Sequence, residues 1–276
     1  MRLCVMVEGQ EGVTWDDWVA LARACEEYGY EALFRSDHYG PVVSEEERGS
    51  LDAWTTLAGL AAVTSTLRLG TLVSPATFRH PSVLAKSAVT VDHISGGRVE
   101  VGMGAGWNEA EHLRYGFPFP PTRERMDIFA EQLEVVHRQW KREPFSFEGD
   151  HYRLVDSDPR PKPVQSPHPP LIVGGSGGRR SVALAARWAD EYNAVSGNPD
   201  ECRALRGRVT EACEREGRDP LPLSLMTGIV REPDEAVRQL TELAEAGVER
   251  VMLHHLEHTD LDLLQLVAEE VAPQLR

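Results

Sequence analysis

The chain has no apolar run approaching the length of a membrane span, so no spanning helix is expected. Its four cysteines, Cys4, Cys25, Cys202 and Cys213, form no CxxC pair and have no histidine at ligand spacing. That speaks against a zinc centre or a disulfide framework, and no metal site is expected. Reduced, packed thiols in a cytoplasmic protein are the reading. Basic character is also missing: 44 acidic residues stand against 29 basic, for a net charge of -15 without a long basic run. Nucleic acid is therefore not an expected partner. Neither the GxGxxG nor the GxxxxGK[ST] spacing of nucleotide folds occurs. Lys86, Lys141 and Lys162 fall in helices or a connector rather than at strand ends, which counts against a Schiff-base lyase or isomerase. The segment from Met1 to Val7 reads as a first strand, too short for a signal peptide.

What is present centres on the stretch from Gly97 to Glu109. Val99, Val101 and Met103 alternate with Glu100, Gly102 and Gly104, the period-two pattern of a strand. Gly102, Gly104 and Gly106 would share one face if the strand ran that far. Three missing side chains leave room for another backbone or a flat ligand. Trp107, Asn108, Glu109, Glu111 and His112 follow at once. A strand that ends in glycines and opens into functional side chains is how α/β barrels present an active site.

Around this stretch the chain has a regular rhythm. Strands are predicted near residues 3–7, 32–35, 68–73, the glycine stretch, 171–173, 191–194, 223–230 and 250–254, each followed by a helix. An acidic loop with Glu45, Glu46 and Glu47 precedes the second helix. Residues 145–170 interrupt the rhythm with a short hairpin and a connector stiffened by Pro159, Pro161, Pro163, Pro167, Pro169 and Pro170. The pattern predicts one domain over residues 1–276, a (β/α)8 TIM barrel with this insertion before strand five.

In such a barrel the loops after the strands gather at one rim. The candidates there are Glu8, Asp37, His38, residues 72–77, residues 104–112 and residues 174–180. Gly174, Gly175, Ser176, Gly177 and Gly178, just before a helix, suit an anion cradle of backbone N–H groups, with Arg179 and Arg180 adding positive charge. Neighbours on a strand face opposite ways, so at most one of Asp37 and His38 points inward. Arg35 and Glu100 are expected to face the lumen and form a buried ion pair.

Several segments together resemble the luciferase-like flavin and deazaflavin oxidoreductases, most closely the branch dependent on coenzyme F420. They are Ser36-Asp37-His38, Leu69-Gly70-Thr71-Leu72-Val73-Ser74-Pro75, Phe78-Arg79-His80-Pro81, Asp92-His93-Ile94-Ser95-Gly96-Gly97-Arg98, and Gly102-Met103-Gly104-Ala105-Gly106-Trp107-Asn108-Glu109. Pro161-Lys162-Pro163-Val164-Gln165 and Ala185-Ala186-Arg187-Trp188-Ala189-Asp190 also match. The resemblance implies a cofactor ring over the barrel mouth, near Asp37, His38, Leu72, Val73, Ser74, Gly104, Ala105, Gly106, Trp107 and Asn108. It implies a phosphate tail at residues 174–178 and a cis peptide at Leu72–Val73 beneath the ring. His38 is then the expected proton partner of hydride transfer to or from a small-molecule substrate, and dimerisation is implied by the family alone. Sugar-oxidising relatives carry a glutamate acid where this chain has Trp107, so Glu8 and Glu109 are the remaining carboxylate candidates. The alternative cofactor is FMN, in an oxygen-using monooxygenase. A barrel that binds flavin without turnover is a further reading.

Overall fold

The computed structural model of the chain describes residues 1–43, 48–195 and 197–275. The acidic loop residues Glu45, Glu46 and Glu47 lie outside them. The elements run β1 (Arg2–Val7), α1 (Trp15–Glu27), β2 (Ala32–Arg35), α2 (Ala53–Val63), β3 (Arg68–Thr71), β4 (Ser74–Pro75), α3 (Pro81–Ser95) and β5 (Val99–Gly104). Next come α4 (Glu109–Tyr115), α5 (Thr122–Trp140), β6 (Phe145–Glu148), β7 (Arg153–Ser157), β8 (Leu171–Gly175), α6 (Arg179–Trp188) and β9 (Glu191–Ala194). The chain closes with α7 (Pro199–Arg215), β10 (Leu223–Gly228), α8 (Pro233–Glu245), β11 (Arg250–His254) and α9 (Leu261–Leu266). None of the described helices is long and apolar enough to cross a membrane.

The helices start where local chemistry allows. Thr14 and Asp17 form a reciprocal capping box at α1, and Pro81 occupies the first turn of α3 behind a His80 cap. The strands pair in the order β3-β2-β1-β11-β10-β9-β8-β5-β4, and β3 also pairs with β5, which closes the sheet. All these pairings are parallel. β4 continues β3 beyond the Leu72–Val73 peptide, which is cis. Counting β3 and β4 as one stave gives the eight-stranded barrel. The insertion before the fifth stave, β8, is an antiparallel β6–β7 hairpin followed by the proline connector.

Side chains alternate between two compartments. Val99, Val101 and Met103 join the core beneath the helices. Cys4, Met6, Ala32, Phe34, Leu72, Ile172 and Met252 pack inside the barrel. Phe34 fills the space opposite Gly70, where a Cβ would lie 2.6 Å from its ring. Below this apolar layer, Glu100 accepts two bonds from Arg250, at 2.7 and 3.0 Å, and one from Arg68 at 2.5 Å. Arg250 also reaches Glu191 at 3.1 Å.

This corrects the expected Arg35–Glu100 pair. Ala32 and Phe34 take the inward positions of β2, so Arg35 points outward. There it donates to the carbonyls of Ser36 and Leu51 and lies 5.0 Å from the Trp18 ring centroid. The helix α4, which begins immediately after an Asn108 cap, had no counterpart in the predicted pattern.

Candidate active site

The C-terminal ends of the staves surround a cavity of about 720 Å3. One wall is flat because side chains are missing. A Cβ on Gly104 or Gly174 would lie 2.8 Å from a Val73 methyl, so both backbones sit directly against that residue. Leu72, Val73, Gly104, Ala105, Gly106 and Trp107 all line the cavity. Gly106 lies beyond the end of β5, with φ of +80°, so it does not extend the glycine face as the simple alternation suggested.

On the β8 side, Gly174, Gly175, Ser176 and Gly178 line the cavity together with Arg179, Arg180 and Ser181. Gly178 is the N-cap of α6 and offers no side-chain cap, so the first-turn N–H groups are left for another acceptor. Gly177 has a different job. Its φ is +79°, its missing Cβ faces Arg208 and Leu205, and its N–H donates to the Tyr192 hydroxyl at 2.9 Å. It makes the turn rather than the wall. Arg180 is tied to Asp127 of α5.

On the opposite side, His38 lines the cavity and its Nδ1 lies 2.7 Å from Glu111 Oε2. The other Glu111 oxygen accepts the N–H groups of Tyr39 and, at 3.2 Å, Gly40. Glu111 thereby fixes the ring and reserves Nδ1–H, leaving Nε2 as the nitrogen free of that bond. Burial pulls the His38 pKa down, but the Glu111 bond and charge, with Glu8 and Asp37 behind it, leave it raised. Burial likewise opposes ionisation of Glu111, yet His38 and the two backbone donors hold its pKa below the ordinary value. Each partner thus favours the charged form of the other.

Asp37 does not face the cavity. It is buried and grips Arg79 at 2.5 and 3.0 Å while accepting from Ser74 Oγ at 2.6 Å. Asp37 and Ser74 thus support the wall from behind instead of lining it. Asn108 caps α4, and Glu109 is exposed in its first turn. Glu8 does line the cavity. Burial raises its pKa, but His254 Nε2 at 3.0 Å and the Gln10 amide at 2.7 Å outweigh this and keep it lowered. A carboxylate held ionised is a poor proton donor, which counts against Glu8 as an acid.

In the sequence Glu111 and Arg79 stand in marked segments without a role of their own, and Tyr192 is not singled out. Glu111 carried one usable sign, its place three residues after a capping asparagine. Arg79 stands in a recognisable segment, but its partner Asp37 lies 42 residues away.

The mouth of the parallel barrel thus brings together a wall poor in side chains, a helix N-terminus without a side-chain cap at the β8 end, and a histidine–carboxylate pair across from it. The chain belongs to the luciferase-like monooxygenase family, whose sequence pattern matches residues 3–269, and it is a luciferase-like oxidoreductase of the flavin and deazaflavin group. An uncharacterised protein of Mycobacterium bovis is 32% identical over 248 residues, covering 84% of this chain and 85% of that one. An F420-dependent secondary alcohol dehydrogenase in complex with an F420–acetone adduct superposes with a TM-score of 0.88 at 18% identity, covering 100% of this chain and 99% of the other. The FMN complex of the oxygenating constituent of 3,6-diketocamphane monooxygenase, encoded on the CAM plasmid of Pseudomonas putida, gives 0.82 at 16% identity, with coverage of 100% and 99%. At these identities the two structural likenesses concern the fold.

The packing of the wall has a measurable consequence. Gly174→Ala should push Val73 into the slot and weaken ring-cofactor binding by about tenfold, or 1.4 kcal/mol. Equilibrium titration checks it, with circular dichroism to confirm the fold. Unchanged affinity would remove Gly174 from the ring site.

Proposed function

We propose that the protein is a coenzyme F420-dependent oxidoreductase that exchanges a hydride with a small organic substrate. The observation that carries this reading is the His38–Glu111 pair, 2.7 Å apart, at the edge of a cavity whose rim is exposed among the described residues. Trp107 and Val195 both line the cavity and remain 65% and 47% exposed. An oxygenating flavin needs water kept from its reactive form, whereas hydride exchange tolerates an open mouth.

The residues present suit the cofactor. Val73, Gly104 and Gly174 would bear the flat ring, and the N-terminus of α6 with Arg179 would hold the phosphate. When bound, the deazaflavin supplies a carbon that gives or takes hydride in two-electron steps and reacts poorly with oxygen. His38 then gives or receives the matching proton through Nε2, while Glu111 keeps the ring oriented and offsets its charge.

FMN is the second reading, favoured by the same flat wall, since both rings are tricyclic. Titrating the protein with F420 and FMN side by side at fixed salt, followed by an oxygen-consumption assay, separates them. The expected result is preferential F420 binding without oxygen uptake. Tight FMN binding with oxygen uptake, and none of F420, would replace this reading with the monooxygenase.

A further inference from the structure

The cavity has two chemically unlike ends, and the barrel order fixes their positions. From β1 the staves run through β11, β10 and β9 to β8 on one side, and through β2, β3 and β5 to β8 on the other. β8 is therefore diametrically opposite β1. The cradle and both guanidinium groups that line the cavity, those of Arg179 and Arg180, belong to the β8 end. Among the described lining residues, no lysine or arginine stands at the β1 end. Both carboxylates there already have partners: Glu111 has His38, and Glu8 has His254 Nε2 at 3.0 Å.

Between the two ends the lining is largely apolar, from Met6, Val42 and Met226 toward β1 and from Trp107 and Val195 in the loops after β5 and β9, with Ser36 and Asn193 as polar exceptions. Trp107 is the telling member. Its indole meets the His38 ring edge-on with centroids 5.7 Å apart, yet it is 65% exposed. A large aromatic surface left bare beside a proton donor is one that a planar ligand can cover. An anionic substrate would find the His38 and His254 side chains there already engaged by Glu111 and Glu8, with no lysine or arginine among the described residues lining that end.

We propose that the substrate is an uncharged, largely apolar compound with a planar ring and one reacting oxygen, its ring laid on Trp107 and its oxygen within reach of His38. The inference rests on the hydride-transfer reading for the role of His38. Its account of charge and stacking holds with either ring cofactor.

Calorimetric titration of the cofactor-loaded protein tests it, using 1-phenylethanol against benzoate and phenyl phosphate. The loaded form is prepared with F420 or, if F420 does not bind, with FMN. Failure of F420 to bind therefore overturns only the cofactor assignment. The expected result is that 1-phenylethanol binds about tenfold or more tightly than either anion. Trp107→Ala should remove about fivefold to tenfold of that affinity, and its cofactor affinity is measured alongside. Trp107 is exposed, so the variant should fold, and circular dichroism checks this. The proposal is overturned if either anion binds as tightly, if 1-phenylethanol does not bind, or if Trp107→Ala leaves its affinity unchanged. Loss of cofactor binding in Trp107→Ala would assign the indole to the cofactor and overturn it equally.

Discussion

His38→Ala is expected to slow hydride transfer by about 10²–10⁴-fold, the usual span for losing a positioned acid–base group, while changing cofactor affinity little. The asymmetry arises because a proton partner acts mainly in the transition state, whereas the ring rests on Val73 and the glycines. Single-turnover absorbance of the deazaflavin gives the rate, and titration gives the affinity. Equal rates in mutant and wild type would return His38 to a packing role.

Glu111→Gln separates positioning from chemistry. Glutamine can still accept a bond, but it removes the charge that holds the His38 pKa up against burial. The His38 limb of the pH–rate profile should therefore move to lower pH, with a rate loss of about tenfold. The same pair gives a stability signature. Its His38 contribution is complete below the ordinary value of 6.5 and is lost as pH rises through the raised folded pKa. Its Glu111 contribution is complete above 4.5 and is lost as pH falls through the lowered folded pKa. The pair therefore stabilises most between those two values, and Glu111→Gln should flatten that window.

The largest loss of stability is expected from Arg250→Met. Arg250 and Glu100 are 2% and 3% exposed at the side chain, and Arg250 also serves Glu191. Removing the guanidinium leaves two buried carboxylates facing each other, with only the half-buried Arg68 still on Glu100. Breaking one side of such a pair costs about 3–5 kcal/mol. Urea unfolding at neutral pH reads it directly. In the wild type Arg250 and Arg68 overcome burial and hold the Glu100 pKa down, whereas in the variant burial would push it up. The gap between variant and wild type should accordingly narrow as the pH falls. The cluster lies beneath Phe34, Ile172 and Met252, so cofactor affinity should survive. A loss below about 1 kcal/mol would mean that the cluster is already relaxed or hydrated.

The barrel was readable because its cause is local and repeated: short apolar strands alternate with amphipathic helices, several of them marked by their own caps. The glycine run after β8 was readable for the same reason, and four of its five residues line the cavity while Gly177 makes the turn. The pairings were not. Glu100 finds Arg250 150 residues along the chain, across a sheet that has closed on itself. Arg35 and Leu33 share one face of β2, and Ala32 and Phe34 share the other. With three apolar residues among the four, the pattern does not say which face is inner. Glu111 belongs to a seven-residue helix too short to show periodicity. Its role appears only when that helix carries it to the loop after β2.

Gln132 joins the inserted hairpin to the rim of the barrel. From the middle of α5 its carboxamide nitrogen reaches the carbonyls of Ala76 and Arg79, at 2.7 and 2.9 Å, and the Tyr152 hydroxyl at 2.8 Å. Tyr152 belongs to the turn of that hairpin, where Glu131 gathers the N–H groups of Asp150, His151 and Tyr152. Arg79 is the residue that clamps Asp37, which in turn holds Ser74 just beyond the Val73 wall. The inserted hairpin therefore acts as an external buttress. It rises along the flank of the barrel to steady the stretch of rim against which the ring would lie, and it makes the rigidity of the mouth depend on residues that never approach it.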